Sequence, residues 1–288
     1  MNLSEVKTIG SGLRRPEGVM AADDGTILTA DARGRCSRIS RDGTTAFFGS
    51  VGGLPNGICL DKSGNCIIAN IGNGQVQSLS PDGSHEVLLV EADSKKINSP
   101  NFPFIDSRER LWISNSTFRK NIEDSLVKPA PDGCIVLIEN GSARIVAEEI
   151  FFANGITLDH GEEYLYVAET MKRDILRFKI AADGSLHDRE VYGPEFLGRL
   201  GFPDGIAFDE AGNLWVTFPM QNAVGYITPQ GELTIAVEDP EAIVLKRPTN
   251  ICFGGEDRRT AFIGSLEGEE VPCFNVPYPG MKLIHQNE

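Results

Sequence analysis

Apolar residues in this chain fall in short runs bounded by Gly, Pro, Asn or Asp, and nowhere keep a 3.6-residue period beyond short loop segments. β-Branched and aromatic residues are frequent in the runs, which predicts strands. The stretch from Gly205 shows the pattern most plainly. Gly205 to Asp209 reads as a strand and Ala211-Gly212-Asn213 as a turn. Leu214 to Thr217 follows as a second strand and Val224 to Thr228 as a third, before Pro229-Gln230-Gly231 turns the chain into Leu233 to Val237. The same order runs from Asn56 through Ser63-Gly64-Asn65 and Pro81-Asp82-Gly83 to Val90. Four short strands joined by hairpin turns form one unit.

A recurring phrase opens each unit. It reads Pro16-Glu17-Gly18-Val19, Pro55-Asn56-Gly57-Ile58, Pro100-Asn101-Phe102, Ala153-Asn154-Gly155-Ile156, Pro203-Asp204-Gly205-Ile206 and Pro248-Thr249-Asn250-Ile251. Successive copies stand 39, 45, 53, 50 and 45 residues apart. Strand-built repeats of roughly 40–50 residues predict a β-propeller. The fold class expected is therefore all-β: a six-bladed propeller with four-stranded blades around a central channel, residues 1–288 forming one propeller domain. The strand near Val6 to Ile9 precedes the first phrase and is expected to complete the last blade. Two connections exceed what a hairpin needs, Phe118 to Pro131 and Tyr192 to Gly201, and either a lid over the channel mouth or a solvated surface loop fits them.

In such a ring the residues that start the innermost strands converge at one height. Each phrase carries a side-chain oxygen there: Glu17, Asn56, Asn101, Asn154, Asp204 and Thr249. Asn and Asp after Pro are common turn residues, so no single copy means anything. The set does, because acids occur only in the first and fifth copies. Two carboxylates and the amide oxygens of Asn101 and Asn154 suit a hard divalent cation such as calcium. Without an ion the two acids would repel, and one would take up a proton. No His or Cys holds a ring position, which disfavours a site built around zinc or copper. His85, His160 and His187 fall in or beside hairpin turns and His285 near the C-terminus, so a histidine base on the axis is not expected. Gly52-Gly53 and Gly254-Gly255 lack the Lys-Ser/Thr of a phosphate loop.

Charge narrows the partners. A formal net charge of −14 opposes nucleic acid and anionic membrane surfaces, which need a basic footprint. The expected partner is a small-molecule substrate, with no nucleic acid and no membrane, bound by a monomer or small homo-oligomer. Met1 to Glu5 has neither a basic region nor an apolar core of a signal peptide, and no run of about 18 apolar residues occurs. Cys36, Cys59, Cys66, Cys134, Cys252 and Cys273 form no Cys-x-x-Cys pair, and free thiols fit a cytoplasmic location.

Taken in order, Arg15-Pro16-Glu17-Gly18, Asn154-Gly155-Ile156, Ala168-Glu169-Thr170, Pro203-Asp204-Gly205, Asn213 to Thr217 and Thr249 to Gly255 resemble the senescence marker protein/gluconolactonase/luciferin-regenerating enzyme-like family, the regucalcin-like six-bladed propellers. The resemblance runs from about Arg15 to Ser265. It implies a hydrolase that opens a lactone or related ester with one divalent metal, calcium foremost, zinc, manganese or magnesium also accepted. It puts the metal on Glu17, Asn154 and Asp204, makes Asn101 a substrate contact or fourth ligand, and makes Asp204 the base or nucleophile. The metal would act as a Lewis acid on the carbonyl. Ser99 and Phe102 depart from the pattern, standing where sugar lactonases of the family carry Arg and Asp; as substrate-binding positions they would replace a sugar grip with a more apolar mouth. Two alternatives stay open: a non-catalytic calcium- or small-molecule-binding propeller, and the strictosidine synthase-like propellers, which Phe151 to Gly155 also resembles and which lack this metal set.

Overall fold

The computed structural model describes residues 1–286 and contains six four-stranded antiparallel sheets. Their strands are short because Gly, Pro and Asp-rich turns interrupt each apolar run. Blade 1 comprises Val19–Ala21, Ile27–Asp31, Arg35–Ile39 and Thr45–Phe48. Blade 2 opens on Pro55–Leu60, blade 3 on Pro100–Ile105, blade 4 on Ala153–Leu158 and blade 5 on Ile206–Phe208. Blade 6 joins Pro248–Gly254, Thr260–Ser265 and Val271–Asn275 to Lys7–Ile9 from the chain start. Lys7 pairs with Cys273 and Ile9 with Val271, so the N-terminal strand closes the ring as expected. Each innermost strand neighbours the next, and the sixth returns to the first.

Burial falls from the axis outward. Pro55–Leu60 and Ala153–Leu158 are buried throughout, whereas the outermost His85–Leu89 and Leu186–Val191 are largely exposed. Glycine in the phrase has a packing reason. A Cβ at Gly18, Gly57, Gly155 or Gly205 would stand 2.3–2.5 Å from a carbonyl oxygen of the next blade's opening strand. The opening strands converge more closely there than any side chain permits. At the other end of the inner strand in blades 2 to 5 an aspartate, Asp61, Asp106, Asp159 or Asp209, organises the hairpin. Asp106 and Asp209 each accept the indole N–H of a buried tryptophan, Trp112 and Trp215, at 2.9 Å.

The far end of the channel is covered by the chain's own tail. Gly280 bridges to Asp209, Met281 N–H donates to the Phe208 carbonyl at 2.8 Å, and His285 Nε2 lies 3.0 Å from the Ala21 carbonyl. Met281 and Leu283 meet Phe102, Phe104 and Phe208 around a small residual space of about 30 Å³. The open mouth is therefore the end where the phrase begins. All six cysteines are free, and among the described residues no helix is long and apolar enough to cross a membrane.

Candidate functional site

Five of the six phrase oxygens meet in one cavity of about 390 Å³ at that mouth: Glu17, Asn56, Asn101, Asn154 and Asp204 all line it. The sixth residue, Thr249, does not; its hydroxyl donates to the Glu17 carbonyl at 2.9 Å. Glu17, Asn101 and Asn154 are each about 4% exposed, while Asp204 is partly open to the cavity.

Hydrogen bonds fix which way each amide points. Arg15 Nη2 donates to Asn56 Oδ1 at 2.9 Å, so Asn56 turns its Nδ2 to Glu17 Oε1 at 2.9 Å and to Asn101 Oδ1 at 3.1 Å. Asn101 Nδ2 donates to Ser116 Oγ at 2.9 Å, and that hydroxyl donates to the Ala153 carbonyl of the next blade at 2.9 Å. Asn154 Nδ2 donates to Thr170 Oγ1 at 3.2 Å, which donates to the Pro203 carbonyl at 2.8 Å. Thr217 repeats the link, donating to the Thr249 carbonyl at 2.8 Å. A hydroxyl at or just beyond the end of a blade's second strand thus ties blades 3, 4 and 5 to their successors and, in two of them, orients the axial amide.

Two buried oxygens are left without a partner, Glu17 Oε2 and Asn154 Oδ1. Orphaned buried acceptors are rare and costly, about 1–3 kcal/mol each. Burial pushes the Glu17 carboxyl up to about 7, against the opposing pull of Arg15 and Asn56. Asp204 rises well above the usual carboxylate range, first through burial and then through the charge of Glu17, with Arg15 and Arg247 pulling it back. Such a site favours bound positive charge. Among the described residues no three His, Cys, Asp or Glu side chains cluster to hold a metal; the axial set offers two carboxylates and otherwise amides. Unsatisfied hard oxygens on Glu17 and Asn154, beside the strained charge of Asp204, fit a divalent cation.

The substrate positions expected from sequence sit elsewhere. Ser99 is 1% exposed, its backbone N–H donating to Asn115 Oδ1 at 2.9 Å. The Phe102 ring lies beneath the mouth, in a core cluster with Trp112, Ile135 and Ile156, and neither residue lines the cavity. Phe102 takes the place of the phrase glycine, and its ring packs down the channel against Gly57 of blade 2. The apolar wall comes instead from Phe152, Phe202, Met171, Met220, Ile122 and Leu126. Ile122 and Leu126 belong to the Phe118–Pro131 connection, in and beside the short helix Glu123–Val127; no residue of the Tyr192–Gly201 connection lines the cavity. The hydroxyls Ser116 and Thr170 and the wall residues Phe152 and Phe202 were missed; aligning the copies on the phrase would have placed Phe152 and Phe202 at one repeated position. A second cavity, about 330 Å³, lies by the tail among Lys62, Ser107, His160 and Glu162, and none of the orphaned buried polar atoms lines it.

Fold and site define a six-bladed propeller with an oxygen-donor site and an apolar wall at one channel mouth. The chain belongs to the SMP-30/gluconolactonase/LRE-like family, whose model matches residues 83–267. It is 25% identical over 230 residues to the protein strictosidine synthase-like 6 of Arabidopsis thaliana, a match covering 75% of this chain and 60% of that one. It is 29% identical over 123 residues to a 6-deoxy-6-sulfogluconolactonase of Pseudomonas putida, covering 43% and 41%. A gluconolactonase structure from Xanthomonas campestris superposes with a TM-score of 0.77 at 22% identity, covering 96% of this chain and 89% of that one. The matches span 60% and 41% of these two curated relatives' lengths, and the solved structure speaks for the fold.

Proposed function

We propose that this protein hydrolyses a lactone or related ester in the mouth cavity, with Asp204 as the proton acceptor. One observation carries the reading: two carboxylates face a cavity with an apolar wall, and one oxygen of Glu17 and one of Asn154 are without a partner. Among its lining residues there is no His or Cys, so Glu17 and Asp204 are the groups able to take a proton. Glu17 Oε1 is occupied by Asn56, whereas Asp204 is the more open of the two. Glu17, Asn154 and Asp204 would hold a divalent ion, calcium foremost, which when bound supplies Lewis-acid polarisation of the substrate carbonyl.

The chain's own side chains do the rest. Asn101 is fixed through Ser116 and Asn56, and its side chain faces the space a substrate would fill. A water beside Asp204 gives its proton to the carboxylate as its oxygen bonds to the carbonyl carbon. The C–O bond of the ring then breaks, and the leaving alkoxide takes that proton back, yielding the hydroxy acid. Direct attack by Asp204 on the carbonyl is the other form of the same assignment. The apolar wall keeps bulk water off the reacting centre. Similarity to a strictosidine synthase-like protein favours a second reading, which the buried Glu17–Asp204 pair opposes.

The test is turnover of a panel of lactones and aryl esters, before and after chelation. Asp204→Asn should keep a ligand oxygen, remove the base and lower turnover by roughly 10²–10⁴-fold. A variant that stays near the wild-type rate would remove Asp204 from the chemistry. No turnover by the wild type on any substrate would favour a non-catalytic binding propeller.

A further inference from the structure

The residues just before the six phrases are Arg15, Leu54, Ser99, Phe152, Phe202 and Arg247. Four of the six line the cavity, and they are not evenly spread. Arg15 and Arg247 come from blades 1 and 6, which are neighbours where the ring closes; Phe152 and Phe202 come from the neighbouring blades 4 and 5. Phe152 stands across the ring from Arg15. One side of the mouth is cationic and another aromatic.

The backbone is bent to present these side chains. Arg15, Phe152 and Arg247 hold positive φ angles of 51°, 66° and 52°. Non-glycine residues pay of order 1–3 kcal/mol for such a conformation, and it persists where surrounding structure enforces it. Neither guanidinium is held by a buried carboxylate; Arg247's partner Glu267 is solvent-exposed. Arg15 donates to Asn56 Oδ1 and, at 3.5 Å, to the Pro55 carbonyl. Arg247 reaches the exposed Glu267 at 3.4 Å and Met220 Sδ at 3.8 Å. The two axial acids would be matched by a bound divalent ion, which leaves Arg15, and Arg247 apart from its exposed partner Glu267, as positive charge at the mouth of a protein of net charge −14.

We infer that the substrate carries an anionic group (a carboxylate, sulfonate or phosphate) seated on Arg247 and Arg15, with its apolar body against Phe152 and Phe202. This deepens the hydrolase reading above and rests on it for the reaction, though not for binding. Arginine suits such a group because its fork donates two parallel hydrogen bonds. The arrangement also orients the ring: charge toward blades 6 and 1, apolar surface toward blades 4 and 5, carbonyl over Asp204.

The test uses matched pairs: an aryl-substituted γ-lactone bearing a carboxylate, and its primary amide. For the full-length protein kcat/KM should favour the carboxylate by at least about tenfold, with the preference shrinking as salt rises. Arg247→Gln should shrink the carboxylate-to-amide preference by about tenfold through the carboxylate's KM, the ratio of the two substrates cancelling any change at Asp204 that both share. Calorimetric binding of the ring-opened carboxylate and amide products gives a readout independent of chemistry. Carboxylate binding that depends on Arg247, without turnover of any lactone, would overturn the hydrolase reading and keep the anion subsite. Turnover of both lactones at equal kcat/KM, or an unchanged ratio in Arg247→Gln, would overturn the subsite. Equal product binding in wild type and Arg247→Gln would overturn it as well.

Discussion

Residue chemistry at the axis is set by desolvation rather than by residue type. Glu17 and Asp204 are ordinary acids: burial raises Glu17 to about 7, and burial with the charge of Glu17 raises Asp204 well above the usual carboxylate range. A cation must displace protons from such a pair, so its affinity should fall as pH drops below about 7, where Glu17 protonates. Elemental analysis of protein purified at pH 8 should find about one divalent ion per chain, and calorimetry should find it weakened at pH 5.5. Glu17→Gln should mainly weaken that binding, with added metal partly restoring turnover; less than a tenth of an equivalent of any divalent ion, with no rebinding, would refute the ligand set. A second acid pair, outside the mouth, makes a separate prediction. Asp174 is pushed up to about 7 by burial and then by the charge of Glu169, and each residue has an orphaned oxygen. Between about pH 4 and 7 the folded state holds a proton that the unfolded chain has released, so this group makes stability fall as pH rises. Asp174→Asn should therefore gain on the wild type from pH 5 to pH 8, by about 1–2 kcal/mol after allowing for solvent at the edge of the pair. Denaturant unfolding at the two pH values measures it, and a pH-independent difference would show that the pair shares no proton.

At the scale of elements, the phrase is a packing device before it is a ligand set. Proline or alanine starts each opening segment, in five copies the next residue turns its oxygen to the mouth, and in four a glycine lets the adjacent opening segment pass. Gly155→Ala would push a Cβ to 2.5 Å from the Asp204 carbonyl and 2.8 Å from Gly205 Cα, so backbone must move. It should cost about 1–3 kcal/mol in stability and displace Asp204, lowering turnover with it. Gly161, in a hairpin turn where a Cβ finds nothing closer than 3.5 Å, is the control: Gly161→Ala should change neither quantity appreciably. Equal effects of the two substitutions would remove the close-approach explanation. The hydroxyl links from Ser116, Thr170 and Thr217 belong to this scale too, because each joins one blade's second strand to the opening segment of the next.

For the whole molecule, the ring brings distant residues into one mouth while the tail covers the other end. The wall of Phe152, Phe202, Met171, Met220, Ile122 and Leu126 sets an expectation for substrates. Each 40 Å² of apolar surface buried there contributes about 1 kcal/mol, whereas sugar hydroxyls against it lose partners. Alkyl- or aryl-substituted lactones should exceed gluconolactone in kcat/KM by about tenfold or more; gluconolactone opened faster than every apolar lactone would show that polar groups of the floor, not the wall, govern selection. The sequence by itself determined the propeller, the blade count, the closing strand and five of the six phrase residues at the mouth, Thr249 being the exception. Those are consequences of periodicity: a repeat places equivalent residues at equivalent heights without any knowledge of packing. It did not determine that Phe102 turns down the channel, that Ser99 is sealed away from the mouth, that residues 280–286 cover the far end, or that Arg15 and Arg247 come together against an aromatic side. Those depend on which rotamer fits beside a neighbouring glycine, on a tail outside the repeat, and on ring closure, which makes the first and last blades adjacent. Only the closed ring creates those neighbours.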